Sequence, residues 1–103
     1  MASSIRVRAV ESGGVTSLKA LVRHPMDSGF VKDSAGNVIP ANFIKALTVS
    51  HKGKDVFVAH WGPAVSKDPF LEFRFKGAQK GDEVTISWID NTGESDSTTA
   101  TIA

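Results

Sequence analysis

The chain has 103 residues, a formal net charge of +1 and 41 % hydrophobic residues, which predicts one globular domain over residues 1–103 and excludes a disordered chain. It contains no cysteine, so thiol nucleophiles, disulfides and cysteine metal sites are excluded. Basic residues are in excess in the first half and acidic residues in the second, a dipolar pattern that suits a protein partner better than a nucleic acid.

Hydrophobic residues alternate with polar ones along most of the chain, with a period of two that is typical of half-buried strands. The predicted strands are residues 5–10, 15–23, 43–50, 55–61, 70–76, 84–90 and 96–103. Most of the connections are short and contain glycine, and parallel strands need crossovers of a dozen or more residues. The sequence therefore predicts an all-β fold, an immunoglobulin-like antiparallel β-sandwich of about seven strands.

Residues 26–42 form the longest stretch without a strand pattern. They contain Gly29, the pair Gly36-Asn37 and Pro40. A connection of this length is usually functional, or it contains a short hairpin, here about Gly36-Asn37.

The predicted hairpin over residues 43–61 reads as apolar on both faces, whereas a strand of an antiparallel sandwich normally wets one face. We expect a partner protein to cover its outer face, although residues 26–42 folding over it would be an alternative. The candidate interface residues are Phe43, Leu47, Val56, Phe57, Val58 and Trp61.

Basic residues lie on one face of each of the first two predicted strands. Arg6 and Arg8 alternate outward on the first strand, and Lys19 and Arg23 on the second. If the strands pair, like charges face each other, which is mildly destabilising unless an acidic group neutralises them. A salt-screened, solvated face is the simpler interpretation.

Two loops, residues 24–30 and 62–70, contain Pro25 and the pair Pro63 and Pro69, and proline fixes φ and stiffens the backbone. We expect them to meet at one end of the sandwich and to act as recognition loops, or else simply to brace the fold. The candidate recognition residues are His24, Pro25, Met26, Pro63, Lys67, Pro69 and Phe70.

No motif for catalysis or cofactor binding is present: there is no nucleophile elbow and no phosphate loop. The sequence predicts no catalytic residue, no cofactor and no metal site. His24 and Met26, two residues apart, would share a strand face and could form a soft copper site. A His/Met copper-handling β-sandwich protein is therefore one alternative to a binding subunit.

Several ordered motifs along nearly the whole chain resemble the SoxZ family of sulfur-oxidation proteins. They are His24-Pro25-Met26, Lys32-Asp33 with Gly36 and Val38-Ile39-Pro40-Ala41, Phe43-Ile44, Trp61-Gly62-Pro63-Ala64-Val65-Ser66 with Pro69-Phe70, Phe73-x-Phe75-Lys76-Gly77-Ala78, Gly81-Asp82, and Trp88-x-Asp90-Asn91-x-Gly93.

The resemblance implies a non-catalytic subunit that pairs with SoxY in the SoxYZ carrier of periplasmic thiosulfate oxidation. A cysteine on the C-terminal segment of SoxY carries the sulfur, and SoxAX, SoxB and, where present, SoxCD visit the carrier. The segment Met1–Arg8 lacks the pattern of a secretory signal, which fits export together with a signal-bearing partner. We also expect the isolated chain to form a homodimer or larger assembly at high concentration, because an uncovered apolar surface invites self-association. The alternatives to this carrier subunit are a His/Met copper-handling periplasmic β-sandwich protein and an enzyme acting on reduced sulfur.

Overall fold

A computed structural model describes residues 4–103, and they form seven strands in two antiparallel sheets. The strands are β1 (Ile5–Ser12), β2 (Val15–Val22), β3 (Ile44–His51), β4 (Lys54–His60), β5 (Phe70–Lys76), β6 (Glu83–Asp90) and β7 (Ser95–Thr101). The predicted fold class, an immunoglobulin-like antiparallel β-sandwich, is confirmed. Residues 1–3, at the start of the segment searched for a signal, lie outside the described residues.

One sheet has three strands in the order β1-β2-β5, and the other has four in the order β4-β3-β6-β7. The pairs β2–β5 and β3–β6 are not consecutive in sequence, so the chain crosses between the sheets and closes a core between them. Alternation decides which side chains enter that core. Leu18 of β2, Val49 of β3 and Ile86 of β6 are fully buried, and their strand neighbours face outward.

Two register shifts along β3, one in its pairing with β6 and one in its pairing with β4, explain why the sequence of β3 reads as apolar on both faces. The register of β3 with β6 shifts between Ile44 and Ala46, and that of β3 with β4 shifts at Val49/Ser50. A bulge adds one residue and reverses the alternation beyond it, so Ile44 and Leu47, three residues apart, both enter the core. On β3 the prediction of two apolar faces is corrected, because Thr48 and Ser50 lie on the outer side, whereas on β4 Val58 keeps an apolar outer position.

The two long sides of the sandwich are closed differently. At one side the chain end crosses to β1, where Ala103 N–H donates to the carbonyl of Ala9 and Glu11 N–H donates to the carbonyl of Ala103, both at 2.9 Å. At the other side the edge strands β4 and β5 meet through Phe57 and Phe73, whose rings stack with centroids 4.5 Å apart and planes 14° apart. The Phe57 ring therefore packs within the chain.

Residues 27–42 project from the sandwich as a two-stranded ribbon, which we call the arm. Asp27 and Asn42 exchange backbone hydrogen bonds of 2.7 and 2.9 Å at its base, and Lys32 bridges to Val38 further out. The molecule measures 53 × 24 × 20 Å and its radius of gyration is 15.5 Å, above the about 13 Å of a compact chain of this length. The expected hairpin about Gly36-Asn37 is thus present, and it lengthens the molecule.

Within residues 4–103, no helix has the length and apolar character required to cross a bilayer.

Candidate partner-binding surfaces

His24 lies at the junction between β2 and the arm, buried and hydrogen-bonded through both ring nitrogens. Met26 N–H donates to Nδ1 at 3.1 Å, so the ring proton is on Nε2, which donates to Oδ2 of Asp90 at 3.0 Å. The imidazole also meets the Trp88 ring edge-on, with centroids 5.0 Å apart. This histidine therefore ties the start of the arm to the end of β6.

Asp90 anchors the turn after β6 as well as His24. Its Oδ1 accepts hydrogen bonds from the Thr92 hydroxyl at 2.6 Å and from the N–H groups of Thr92 and Glu94. Burial raises the pKa of Asp90, but the hydrogen bonds from Thr92, His24 and Glu94 outweigh it and hold the pKa below its ordinary value. The carboxylate is thus a structural acceptor that is kept ionised.

A second buried histidine and a second aspartate brace the opposite end of the sandwich. His51 Nε2 lies 2.9 Å from Asp82 Oδ2, which also accepts from Gln79 N–H at 3.0 Å. The hydrogen bond to His51 is the main cause that lowers the pKa of Asp82. These contacts fix the β3–β4 and β5–β6 turns and present no group to a ligand.

The loops of residues 24–30 and 62–70 meet at the end of the sandwich where His24 lies. Asp68 N–H donates to the carbonyl of His24, and His24 N–H donates to Oδ1 of Asp68, both at 3.0 Å. Val22 N–H also donates to the carbonyl of Pro69. The structure therefore brings these loops together, as the sequence analysis expected.

Three of the seven candidate recognition residues are corrected by their burial. His24, Met26 and Pro69 are buried and brace the fold, so no partner can reach their side chains. The other four lie at the surface, and Phe70 is 60 % exposed. These exposed residues, Pro25, Pro63, Lys67 and Phe70, stay candidates for recognition.

Met26 has an unusual backbone conformation, and its side chain is part of the hydrogen-bonded core. Its φ is +51°, in the left-handed region, and its Sδ accepts a hydrogen bond from Ile44 N–H at 3.3 Å. A copper ion at His24 and Met26 would have to break the hydrogen bonds of both side chains. Among residues 4–103, moreover, no three His, Asp or Glu side chains cluster as metal ligands.

The six candidate interface residues of the β3–β4 hairpin divide by burial. Leu47 is a core residue with no exposed surface, because the bulge in β3 turns it inward, and its assignment to the interface is wrong. Four are half-buried against the core: Phe43, Val56, Phe57 and Trp61. Val58, on the outer face of β4, is 46 % exposed and is the member of the set best placed to meet a partner.

The arm exposes three apolar side chains, none of which was among the candidate residues predicted from the sequence. Phe30 is 87 % exposed, Val31 57 % and Val38 54 %. The signal in the sequence was the presence of bulky apolar residues in a glycine-containing loop, where neither strand nor core requires them. A pattern of this kind indicates contact surface rather than turn chemistry.

The arm is an ordered element. At its tip, Oδ1 of Asp33 accepts hydrogen bonds from the N–H groups of Ala35 and Asn37, an Asx-type turn. Near its base, Gly29 has φ of +87°, and a Cβ there would lie 3.2 Å from the Cβ of Ala41. Glycine thus lets the two limbs of the arm approach each other closely.

No curated protein matches the chain. The family model described as "Sulphur oxidation protein SoxZ" matches residues 5–101, which include every strand and the whole arm. The chain therefore belongs to the SoxZ family and is a subunit of a Sox sulfur-oxidation system.

Proposed function

We propose that this chain is the non-catalytic subunit of a SoxYZ-type carrier in periplasmic thiosulfate oxidation, and that it pairs with a SoxY chain through its arm. The single observation that carries the pairing is the exposure of Phe30, Val31 and Val38 on an ordered ribbon. Membership of the SoxZ family supports the rest of the proposal.

Large apolar side chains in water are unfavourable, and each stabilises a complex when a partner covers it. Because turn and backbone hydrogen bonds already order the arm, little conformational entropy is lost when it docks. An aromatic side chain that enters a partner's pocket is typical of the few residues that dominate binding energy. Phe30 is the candidate for that position.

The absence of cysteine from the sequence supports a non-catalytic role for this chain, which does not itself carry the sulfur. Sulfur conjugation needs a thiolate nucleophile, and the thioethers of Met1 and Met26 have no thiolate form. The partner must therefore supply the thiol, while this chain folds with it and presents it. We propose transient contacts of the assembled carrier with SoxAX, SoxB and, where present, SoxCD.

Binding of purified SoxY to variants of this chain tests the pairing. We expect Phe30→Ser to raise Kd at least tenfold, since losing a buried aromatic contact at an interface costs on the order of 2 kcal/mol. Val58→Ser tests the competing β3–β4 hairpin, and Ile89→Ser, at an exposed position on β6, is the matched control. Each variant is first shown to unfold at the same urea concentration as the unmodified chain.

The outcomes separate the two parts of the proposal. If the unmodified chain fails to bind SoxY, the pairing itself is wrong. If it binds and Phe30→Ser has no effect while Val58→Ser weakens the complex, the interface is the β3–β4 hairpin instead of the arm.

Intact-mass measurement tests the non-catalytic role. The chain is incubated with thiosulfate and the coupling enzymes, with and without SoxY. We expect the sulfur increment on SoxY alone; a covalent increment on this chain that survives denaturation would show that the role is wrong. Recovery of the chain with SoxY in the periplasmic fraction of thiosulfate-grown cells tests the location.

A further inference from the structure

The outer face of the three-stranded sheet concentrates positive charge. We call this outer face of β1, β2 and β5 the basic face. It carries five exposed cations: Arg6, Arg8, Lys19, Arg74 and Lys76. Glu72 is the one carboxylate on the same outward rows. Within residues 4–103, none of the five cations forms a salt bridge.

The way the strands pair does not account for this concentration of positive charge, because it does not favour folding. Arg8 lies directly opposite Lys19, and like charges in that position destabilise a strand pair, although Glu72 lies opposite Lys19 on its other side and offsets part of this repulsion. The outward positions of β6 and β7 carry no cation and one carboxylate, Glu83; the others are Thr85, Ser87, Ile89, Ser95, Ser97, Thr99 and Thr101. A chain of net charge +1 thus places five cations against one carboxylate on the outward positions of one sheet.

Apolar side chains lie between the cations. In one cross-strand row Arg6 is opposite Leu21, which is opposite Phe70. Phe70 and Val10 are both exposed, and Val10 lies in a shallow depression that Arg8 and Arg74 also line. Exposed aromatic and arginine side chains together are typical of protein interfaces, whereas phosphate backbones are bound by cations without such apolar contacts.

We propose that the basic face is the docking surface for an acidic patch on the enzymes that visit the carrier. This inference rests on the proposed function and assigns a second surface, separate from the arm. The arm offers apolar contact suited to a permanent partner. A flat charged face suits partners that must arrive and leave in each cycle, because charge complementarity raises the rate of encounter and fixes the orientation without requiring a long residence time.

The test uses the assembled two-subunit carrier as the substrate of each purified Sox enzyme. The variant Arg8→Glu/Arg74→Glu reverses two charges at the centre of the basic face. Lys54→Glu/Lys80→Glu, at exposed lysines outside that face, makes the same change in net charge and is the control. Steady-state rates are measured at ionic strengths of about 0.05 M and about 0.5 M, where screening lengths differ roughly threefold.

We expect the face variant to lose at least tenfold in kcat/KM at low salt with at least one enzyme, with kcat changed less than twofold, and most of that loss to disappear at high salt. The control should stay within twofold. Equal effects of the two variants, or no effect of either, would overturn the inference while leaving the proposed function intact.

Two other results would also overturn it. If the face variant no longer assembles with SoxY, the basic face belongs to the permanent interface; if the unmodified chain does not assemble either, the proposed function fails instead. If duplex DNA or anionic phosphatidylglycerol vesicles bind the unmodified carrier and not the face variant, the occupant is a polyanion or a lipid surface rather than a protein.

Discussion

Arg8 and Lys19 lie directly opposite each other in the β1–β2 pair, and both side chains are exposed. The Arg8→Glu change would replace this repulsion by an attraction. We expect the free energy of unfolding of the isolated chain to rise by roughly 0.2–1 kcal/mol, the range for cross-strand pairs. Urea denaturation at low salt measures it, with Lys80→Glu as the control for net charge. A lower stability than the control would contradict the expected repulsion.

Thr16 is fully buried on β2, and its hydroxyl oxygen has no hydrogen-bond partner among the described residues. Thr16→Val keeps the shape and removes the unsatisfied hydroxyl, so we expect about 1 kcal/mol of added stability. Thr85→Val is the comparison, because the Thr85 hydroxyl lies at the surface near that of Thr99. A loss of stability in Thr16→Val alone would mean that the hydroxyl is satisfied in solution.

The acid sensitivity of the fold depends on Asp82 and Asp90. Folding lowers the pKa of both below the ordinary value of 3.8, so the stability they contribute is complete above that value and is lost as the pH falls through the lowered pKa values. We therefore expect the free energy of unfolding to fall steeply below about pH 4. Urea denaturation between about pH 2 and pH 7 measures this profile.

Asp90→Asn isolates one of these contributions. The change places an amide NH₂ against the Nε2–H of His24 and removes the ionised acceptor, so we expect a loss of about 1–3 kcal/mol at neutral pH and a shallower acid limb. Asp55→Asn, at an exposed position, serves as the control. An unchanged acid limb in Asp90→Asn would show that Asp90 does not contribute to it.

Variants of Met26 and Lys67 distinguish two roles of the loops of residues 24–30 and 62–70, stabilising the fold and contacting an enzyme. Met26→Ala removes a buried side chain, and we expect the fold to lose about 2–5 kcal/mol. Lys67→Ala, at the surface, should leave stability unchanged and slow thiosulfate turnover if these loops contact an enzyme. Thermal unfolding and turnover by the assembled system measure the two effects. Unaltered turnover in Lys67→Ala would remove the recognition role of that residue.

The isolated chain should self-associate at high concentration, because its arm exposes apolar side chains that no part of the described chain covers. Sedimentation equilibrium measures this, and Phe30→Ser should shift the chain toward monomer. A strictly monomeric profile at millimolar concentration would contradict the expectation.

The sequence by itself determined the fold class and the family. Alternation and short turns are local properties that depend on residues close in the chain, so the antiparallel sandwich could be predicted. The motifs shared with the SoxZ family are also strings of neighbouring residues. The inward and outward assignment of β1 and β2 followed in the same way, whereas the register that places Arg8 opposite Lys19 came from the structure.

Only the tertiary structure decided which surfaces are available. A bulge reverses alternation without a clear mark in the sequence, so Leu47 reads as outward and lies in the core. His24 meets Asp90 across 66 positions of sequence, a contact that turns an expected recognition residue into a brace. The crossover that places β5 beside β2 brings Arg74 into the row next to Arg8 and Lys19. Pairings over such separations depend on the packing of the two sheets, which no local pattern encodes.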